Sequence, residues 1–384
     1  MPLKRVDFRR IFAYPVINAP ILHTILGVSQ EGAYCMRHFD YSKNIHCTLD
    51  NEIIAYIAKI HEHKGRQALY IRQKKDKLEK LVEIAKVQST ESSNKIEGII
   101  TTNTRIKQLV AEKTTPRTRD EKEIMGYRDV LSIIHENFEY IPITPSYILQ
   151  FHQYLYKYSD SSIGGKFKNA QNYIVSNHTD GSTSVLFTPL SPVETPIAVE
   201  ELCNTYNKAI DEGKADPLLL IPVFIKDFLC IHPFNDGNGR MSRLLTTLLL
   251  YRAGFVVGKY ISLEKQIEKT KESYYQVLRE SSENWLDDAN DNTPFVKYLL
   301  GTILAAYRDF EERLNLIEEK LPAVQMVEKA CTNRIGKFTK SDIMEECPSI
   351  GKASVENALK TLCEQGKLER IGNGKATAYV RKTI

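Results

Sequence analysis

Along residues 78–87 the apolar side chains Leu78, Leu81, Val82, Ile84, Ala85 and Val87 recur at intervals of three and four, with Glu and Lys between them. This spacing turns one face of an α-helix toward a core. It predicts helix over 51–95, and further helices are expected at 120–137, 144–158, 194–212, 216–230, 240–253, 263–283 and 293–319. Thr144-Pro145 reads as a start signal, because proline suits the first helical position. Residues 218–231 and 241–250 are apolar on most sides and read as buried helices. In 172–187 (NYIVSNHTDGSTSVLF), β-branched and aromatic residues flank Asp180-Gly181, the signal of a hairpin in an otherwise helical body. Beyond Pro322 the pattern shortens. Thr339-Lys-Ser-Asp342 caps one expected helix, and Gly351-Lys352 opens another over about 353–365. Basic strands at 367–371 and 376–380 then flank Gly372-Asn373-Gly374. Residues 1–50 show no period and read as an irregular arm on the body.

The expected architecture is therefore mainly α: a helical bundle with a β-hairpin flap, plus a C-terminal winged helix-turn-helix. Three regions follow: an N-terminal helical region (1–115), a central domain with its following helices (116–321), and the winged module (322–384).

Composition narrows the class. With 42% hydrophobic and 26% charged residues over 384 positions, the chain reads as a soluble globular protein. No apolar run approaches the roughly 18–20 residues of a membrane span, and MPLKRVDFRRIFAY has no signal-peptide core. The seven cysteines form no C-x-x-C pair or even framework, which points to reduced thiols and a cytoplasmic location, with no membrane partner. The net charge of +4 does not mark a nucleic-acid protein, although residues 322–384, with eleven Lys/Arg and seven Asp/Glu, carry the whole surplus.

The chemistry gathers between the two apolar helices, in His232-Pro-Phe-Asn-Asp-Gly-Asn-Gly-Arg240 followed by Arg243. Asp236, Gly237, Asn238 and Gly239 form a turn tolerant of positive φ just before a helix, so free N–H groups and the positive helix end converge on an anion site. Arg240 and Arg243 can clamp successive phosphates of a nucleotide, and Asp236 offers the hard oxygen that Mg²⁺ prefers. His232, with an ordinary pKa of about 6.5, can take a proton from an attacking hydroxyl. Each piece alone is common in packed loops. A structural loop has no reason to gather all of them around one glycine nest.

This stretch resembles the Fic family signature H-x-F-x-D/E-G-N-G-R-x-x-R at every fixed position: His232, Phe234, Asp236, Gly237, Asn238, Gly239, Arg240 and Arg243. The likeness extends over roughly 121–255, including GYRDVL (126–131), the Gly164-Gly165-Lys166 turn and the hairpin. It implies a Fic-type helical bundle and a protein adenylyltransferase that moves AMP from Mg·ATP to a Tyr, Thr or Ser hydroxyl, itself included. His232 would be the base, Asp236 would hold Mg²⁺, and Gly237, Asn238, Gly239, Arg240 and Arg243 would bind ATP. Phe234 would anchor the loop.

Ser93-Asn-Lys-Ile-Glu97-Gly98 ends the first long helical run and is similar to the family's S/T-x-x-x-E-G inhibitory motif. The resemblance pairs Glu97 with Arg243, across the γ-phosphate position. Ser93 and Glu97 share a helix face, and Gly98 is a natural terminator. Tyr173, Ile174, Val175, Val185, Leu186 and Phe187 form the candidate target-docking flap, which can pair with an extended segment. Residues 352–381 are the candidate DNA contact, with Ser354, Asn357 and Lys360 on a polar helix side and Lys375 and Arg381 on the wing. A homodimer is a further candidate. Two competing functions stay open: a DNA-binding regulator that uses the body as a nucleotide sensor, and removal of AMP from a modified protein. His61-Glu-His63 is too tight for a metal pair, Gly372-Asn-Gly-Lys375 lacks the upstream glycine of a phosphate loop, and Cys230 reads as a buried apolar residue.

Overall fold

The computed structural model describes residues 39–41, 49–73, 75–159, 162–177, 182–318, 322–332, 334, 336–374 and 377–382. The expected arm falls almost wholly outside these residues, as do the Asp180-Gly181 turn and Lys375. The described chain runs α1 (Asn51–Gln73), α2 (Lys75–Ile96), α3 (Asn103–Val110), α4 (Arg119–Asn137), α5 (Pro145–Leu155), β1 (Ile174–Asn177), β2 (Thr183–Phe187), α6 (Thr195–Glu212), α7 (Pro217–Ile231) and α8 (Asn238–Arg252). It continues through α9 (Leu263–Lys269), α10 (Lys271–Ser282), α11 (Thr293–Glu318), α12 (Ala323–Thr332), α13 (Lys340–Glu346), α14 (Lys352–Glu364), β3 (Leu368–Ile371) and β4 (Ala378–Arg381). No helix among the described residues is long and apolar enough to cross a membrane.

Most predicted helices form within a few residues of their expected ends. The segment 263–283 does not stay whole. It breaks at Thr270, whose hydroxyl bonds back to the Gln266 carbonyl and pairs with the Tyr298 hydroxyl. The helix expected over 144–158 stops at Leu155, because Tyr156 leaves the helical path and its hydroxyl accepts from Arg240. Thr144 sits at the expected cap, yet its hydroxyl pairs with Ser146 Oγ rather than with a backbone N–H.

The chain divides into two compact units. The first takes in residues up to 59, 86–256 and 262–303. At its centre lie α7 and α8, in which every residue from 218 to 231 and from 238 to 251 is buried. Asp216 caps α7 by accepting from the Leu218 N–H, with Pro217 at the first helical position. Such uniformly buried helices follow from apolar sequence on all sides. At Gly126 a Cβ would lie 1.9 Å from the Leu155 carbonyl oxygen, so only glycine lets α4 pass this close to the end of α5. Ile106, Leu109 and Val110 of α3 pack on Ile124 and Met125 of α4.

The second unit takes in 60–85, 257–261 and 304–384. Within it, Met326, Val327, Ile343, Val355, Leu359, Leu362 and Leu368 share one apolar cluster, so the last three helices and β3 have a core of their own. Thr339 and Asp342 form the anticipated capping box at the start of α13. β3 pairs antiparallel with β4, Leu368 facing Arg381 and Ile371 facing Ala378. The exposed side of α14 carries Ser354, Asn357 and Lys360, but Lys360 lies 3.8 Å from Glu364 and Glu356 pairs with Lys340. His63, discounted above as a ligand, bonds through Nδ1 to Glu311 at 2.8 Å.

Candidate active site

The site is built from two helix ends and the bend between them, all within the first unit. α7 ends at His232, whose φ of 52° and ψ of 62° are left-handed, while its N–H still reaches the Phe228 carbonyl at 3.0 Å. Left-handed backbone costs a non-glycine residue about 1–2 kcal/mol, so the surroundings must hold it. Phe234 is buried beneath the bend. Its N–H donates to Asn238 Oδ1 (2.9 Å), and Asn238 Nδ2 donates back to the Phe234 carbonyl (2.7 Å). Asn238, expected at the nucleotide, therefore spends its side chain on the loop and offers the site only its main-chain N–H.

His152 of α5 completes the loop's support and was not anticipated. Its ring stacks on Phe234 at 3.7 Å between centroids and 3° between planes. Gly165 N–H donates to its Nδ1 (3.1 Å), which leaves the proton on Nε2 to bond the Asp236 carbonyl (3.0 Å). Burial lowers the pKa of His152 to about 4, so the ring stays neutral and this tautomer stays in place. No spacing or motif singles out a histidine inside an amphipathic helix, so nothing in the residue pattern pointed to it.

At Gly237 φ is +86°, and α8 begins there. Its first main-chain bond runs from the Met241 N–H to the Gly237 carbonyl at 2.9 Å. The N–H groups of Asn238, Gly239 and Arg240 thus precede the helical ladder and have no acceptor within it. A Cβ on Gly239 would lie 2.2 Å from Glu97 Oε1. The Glu97 carboxylate is therefore pressed against the start of α8, where the sequence places a phosphate. Arg243, one turn on, donates from Nη2 to Glu97 Oε1 (2.7 Å) and to the Ser93 carbonyl (2.9 Å), and from Nε to Ser93 Oγ (2.8 Å). The structure thus brings together Ser93, Glu97 and Arg243.

Glu97 is held there by the way α2 ends. Gly98 adopts φ +82°, the Ile99 N–H bonds the Asn94 carbonyl (3.0 Å) and the Gly98 N–H bonds the Lys95 carbonyl (3.1 Å), a Schellman cap. Glu268 accepts from Ser92 Oγ (2.7 Å) and pairs with Lys95 (2.6 Å), and Lys271 donates to the Ile96 carbonyl. Arg240 is equally engaged: Nη1 lies 2.8 Å from Glu123 and Nη2 2.7 Å from the Tyr156 hydroxyl. Glu123 and Tyr156 are further partners that the sequence did not disclose.

Electrostatics separate the two ends of the loop. His232 Nδ1 lies 3.3 Å from the Leu229 carbonyl, which can only accept, so Nδ1 carries the proton and Nε2 the lone pair. Burial, aided by the Lys168 cation, lowers the His232 pKa to about 4, well below the ordinary value expected from sequence. The Asp236 pKa is lowered as well, although its own burial would raise it. Arg240, the Tyr156 hydroxyl and the Gly237 N–H (2.7 Å to Oδ1) keep its carboxylate ionised below the usual range. Its side chain is 33% exposed, and among the described residues no three His, Cys, Asp or Glu gather as a metal cage. A single ionised carboxylate suits Mg²⁺, which draws most of its ligands from phosphate and water.

Beside the bend stands the expected hairpin. Ile174 faces Phe187 and Val175 faces Val185, with an irregularity between Ile174 and Val175. Tyr173, Val185 and Leu186 are exposed. Asn172, at its base, donates from Nδ2 to the Phe234 carbonyl at 3.1 Å, which ties the hairpin to the motif loop.

Comparison with known proteins matches residues 142–250 to the Fic/DOC family. Protein adenylyltransferase fic-1 of Caenorhabditis briggsae is 26% identical over 186 residues, 47% of this chain and 32% of that protein. A Fido domain-containing protein of Dictyostelium discoideum is 28% identical over 126 residues, 32% of this chain and 83% of its own length. The chain thus spans about a third of the adenylyltransferase and most of the smaller relative. Among solved structures, a Fic family protein from Desulfovibrio desulfuricans G20 aligns with a TM-score of 0.58 at 21% identity, covering 87% of this chain and 97% of that one. That likeness establishes the helical fold. Motif and matched segment thus agree: residues 142–250 match the Fic/DOC family, and the chain shares the helical fold of a Fic family structure.

Proposed function

We propose that this protein transfers AMP from Mg·ATP to a hydroxyl side chain of a protein, and that Glu97 restrains it in the conformation described here. One observation carries the reading. A buried neutral imidazole and an open helix N-terminus bound the same short bend, and an acidic side chain of the same chain lies against that N-terminus. The named adenylyltransferases among its relatives support it.

Asp236 would hold Mg²⁺, which supplies charge neutralisation along the triphosphate. The N–H groups at the start of α8 would bind phosphate oxygens, and Arg240 and Arg243 the β/γ end. The target hydroxyl attacks the α-phosphorus in line, the bond to the bridging oxygen breaks, and pyrophosphate leaves. The hydroxyl proton passes to His232 Nε2. Restraint follows from occupancy. While Glu97 holds Arg243, the γ-phosphate meets a carboxylate in place of a guanidinium, and the triphosphate does not settle with its α-phosphorus aligned. The hairpin would dock the target as an added strand through Tyr173, Ile174, Val175, Val185, Leu186 and Phe187, the chain itself being one such target.

The test replaces the base and leaves the cradle. In a Glu97→Gly background, His232→Ala should bind Mg·ATP as its parent does by calorimetry while self-modification is abolished. Retained AMP transfer by the double variant removes His232 from the reaction.

A further inference from the structure

Lys168 was not singled out by the sequence, and its hydrogen bonds run to the main chain on either side of His232 and to Asn172. It is 3% exposed. Its main-chain N–H donates to the Pro233 carbonyl at 2.8 Å, and its Nζ donates to the Ile231 carbonyl at 2.9 Å and to Asn172 Oδ1 at 3.1 Å. The peptide unit before His232 and the one after Pro233 are therefore both fastened to one residue. Between them sits the left-handed backbone at φ 52°, a conformation that persists only when its neighbours over-determine it. Asn172 in turn bonds the Phe234 carbonyl, so the clamp continues to the foot of the hairpin.

We propose that Lys168 is a positioning residue for the transfer reaction: it staples the peptide units on either side of the His232-Pro233 pair and so aims the imidazole at the acceptor hydroxyl. The inference rests on His232 being the base. The ammonium is placed where a side chain seldom stands. A buried lysine is stable only with acceptors around it, and the C-terminal carbonyls of α7, the negative end of that helix, supply one. Burial brings its pKa down to about 7, with Glu194 opposing. The same cation stands near the imidazole and disfavours its protonation, alongside Asp236, which acts in the opposite sense. A shorter or apolar side chain would leave the Ile231 carbonyl buried without this donor and free the peptide at 232 to relax out of its left-handed form.

The experiment uses the full chain in the Glu97→Gly background with Lys168→Met and Lys168→Arg. Lys168→Met should lower kcat for self-modification by roughly tenfold to a hundredfold, as expected for a displaced catalytic group, with KM for ATP within about twofold. Lys168→Arg should restore much of the loss, since a guanidinium can still donate to the carbonyl. A second readout needs no turnover. In protein labelled with nitrogen-15 at histidine, and assigned with His232→Ala, the parent should show His232 protonated on Nδ1 at neutral pH. Lys168→Met should shift that ring toward the Nε2–H form. If Lys168→Met leaves both kcat and the ring tautomer unchanged, or raises KM while kcat holds, the assignment is overturned. An inactive Glu97→Gly parent would count against the proposed reaction and leave the tautomer measurement to decide on Lys168.

Discussion

Replacing Glu97 by glycine or glutamine is the sharpest perturbation the structure offers. Its carboxylate makes a 2.7 Å ion pair with Arg243 and lies where a Cβ on Gly239 would be, 2.2 Å away. Hydrogen bonds to charged groups are worth about 1.5–3 kcal/mol, and two unit charges about 4 Å apart interact by about 4 kcal/mol near a protein surface. Arg243 offsets part of the second term, so removing the carboxylate should favour the aligned triphosphate by about 1.5–3 kcal/mol, a gain of roughly 10- to 150-fold in rate. Glu97→Gln keeps the bulk and a weaker hydrogen bond but loses the charge, and should fall between wild type and Glu97→Gly. The assay is the initial rate of AMP incorporation into the full chain at saturating Mg·ATP. A Glu97→Gly rate within about twofold of wild type would refute the restraint. So would a Glu97→Gln rate above that of Glu97→Gly, since charge and occupancy would then not be what the glutamate contributes.

Other outcomes follow from the same contacts. Ser93→Ala removes the hydroxyl that accepts from Arg243 Nε at 2.8 Å and should raise the self-modification rate by about two- to tenfold, less than Glu97→Gly; an equal gain would place the restraint in the serine. Because burial puts the His232 pKa at about 4, the base is neutral throughout the physiological range. The pH profile of kcat for Glu97→Gly should therefore show no acid limb between about pH 5.5 and 7.5, and a limb near 6.5 would contradict the buried geometry. His152 and His232 both titrate near 4 in the folded chain instead of 6.5, so the unfolded chain takes up protons first as pH falls. Stability should drop between about pH 6.5 and 4, by up to roughly 3 kcal/mol for each ring, read as a falling urea midpoint; a flat midpoint would mean the rings are solvated. Gly126→Ala sets a Cβ 1.9 Å from the Leu155 carbonyl and should cost about 3 kcal/mol or more, visible as a lowered Tm.

Much of this arrangement was readable in the chain because its causes are local. A proline after a capping aspartate, an apolar run buried on all sides and a glycine nest before a helix each specify their own backbone, and α7, the bend and α8 form where expected. That Glu97 meets Arg243 was implied by the resemblance of residues 93–98 to the inhibitory motif, and the Schellman cap at Gly98 holds the glutamate there. What remained hidden depends on long-range contact. His152 looks like any polar residue of an amphipathic helix until Phe234 stacks on it. Lys168 lies in a stretch without period, and nothing local shows that its ammonium ends buried on the Ile231 carbonyl. Ser92, Ser93 and Asn94 are all buried, which nothing in their immediate sequence shows. Polar side chains are placed by their partners, and those partners can lie far along the chain: 176 residues separate Ser92 from Glu268 and 248 separate His63 from Glu311.

The central claim is that the bend between α7 and α8 delivers the adenylyl group, not a phosphoryl group, to a hydroxyl. The direct measurement incubates the Glu97→Gly chain with Mg·ATP radiolabelled at the α-phosphate in one sample and at the γ-phosphate in the other, then counts label retained on denatured protein. Retention from the α-phosphate alone, lost with His232→Ala, is the predicted result. Retention from the γ-phosphate, or from neither position, would contradict it.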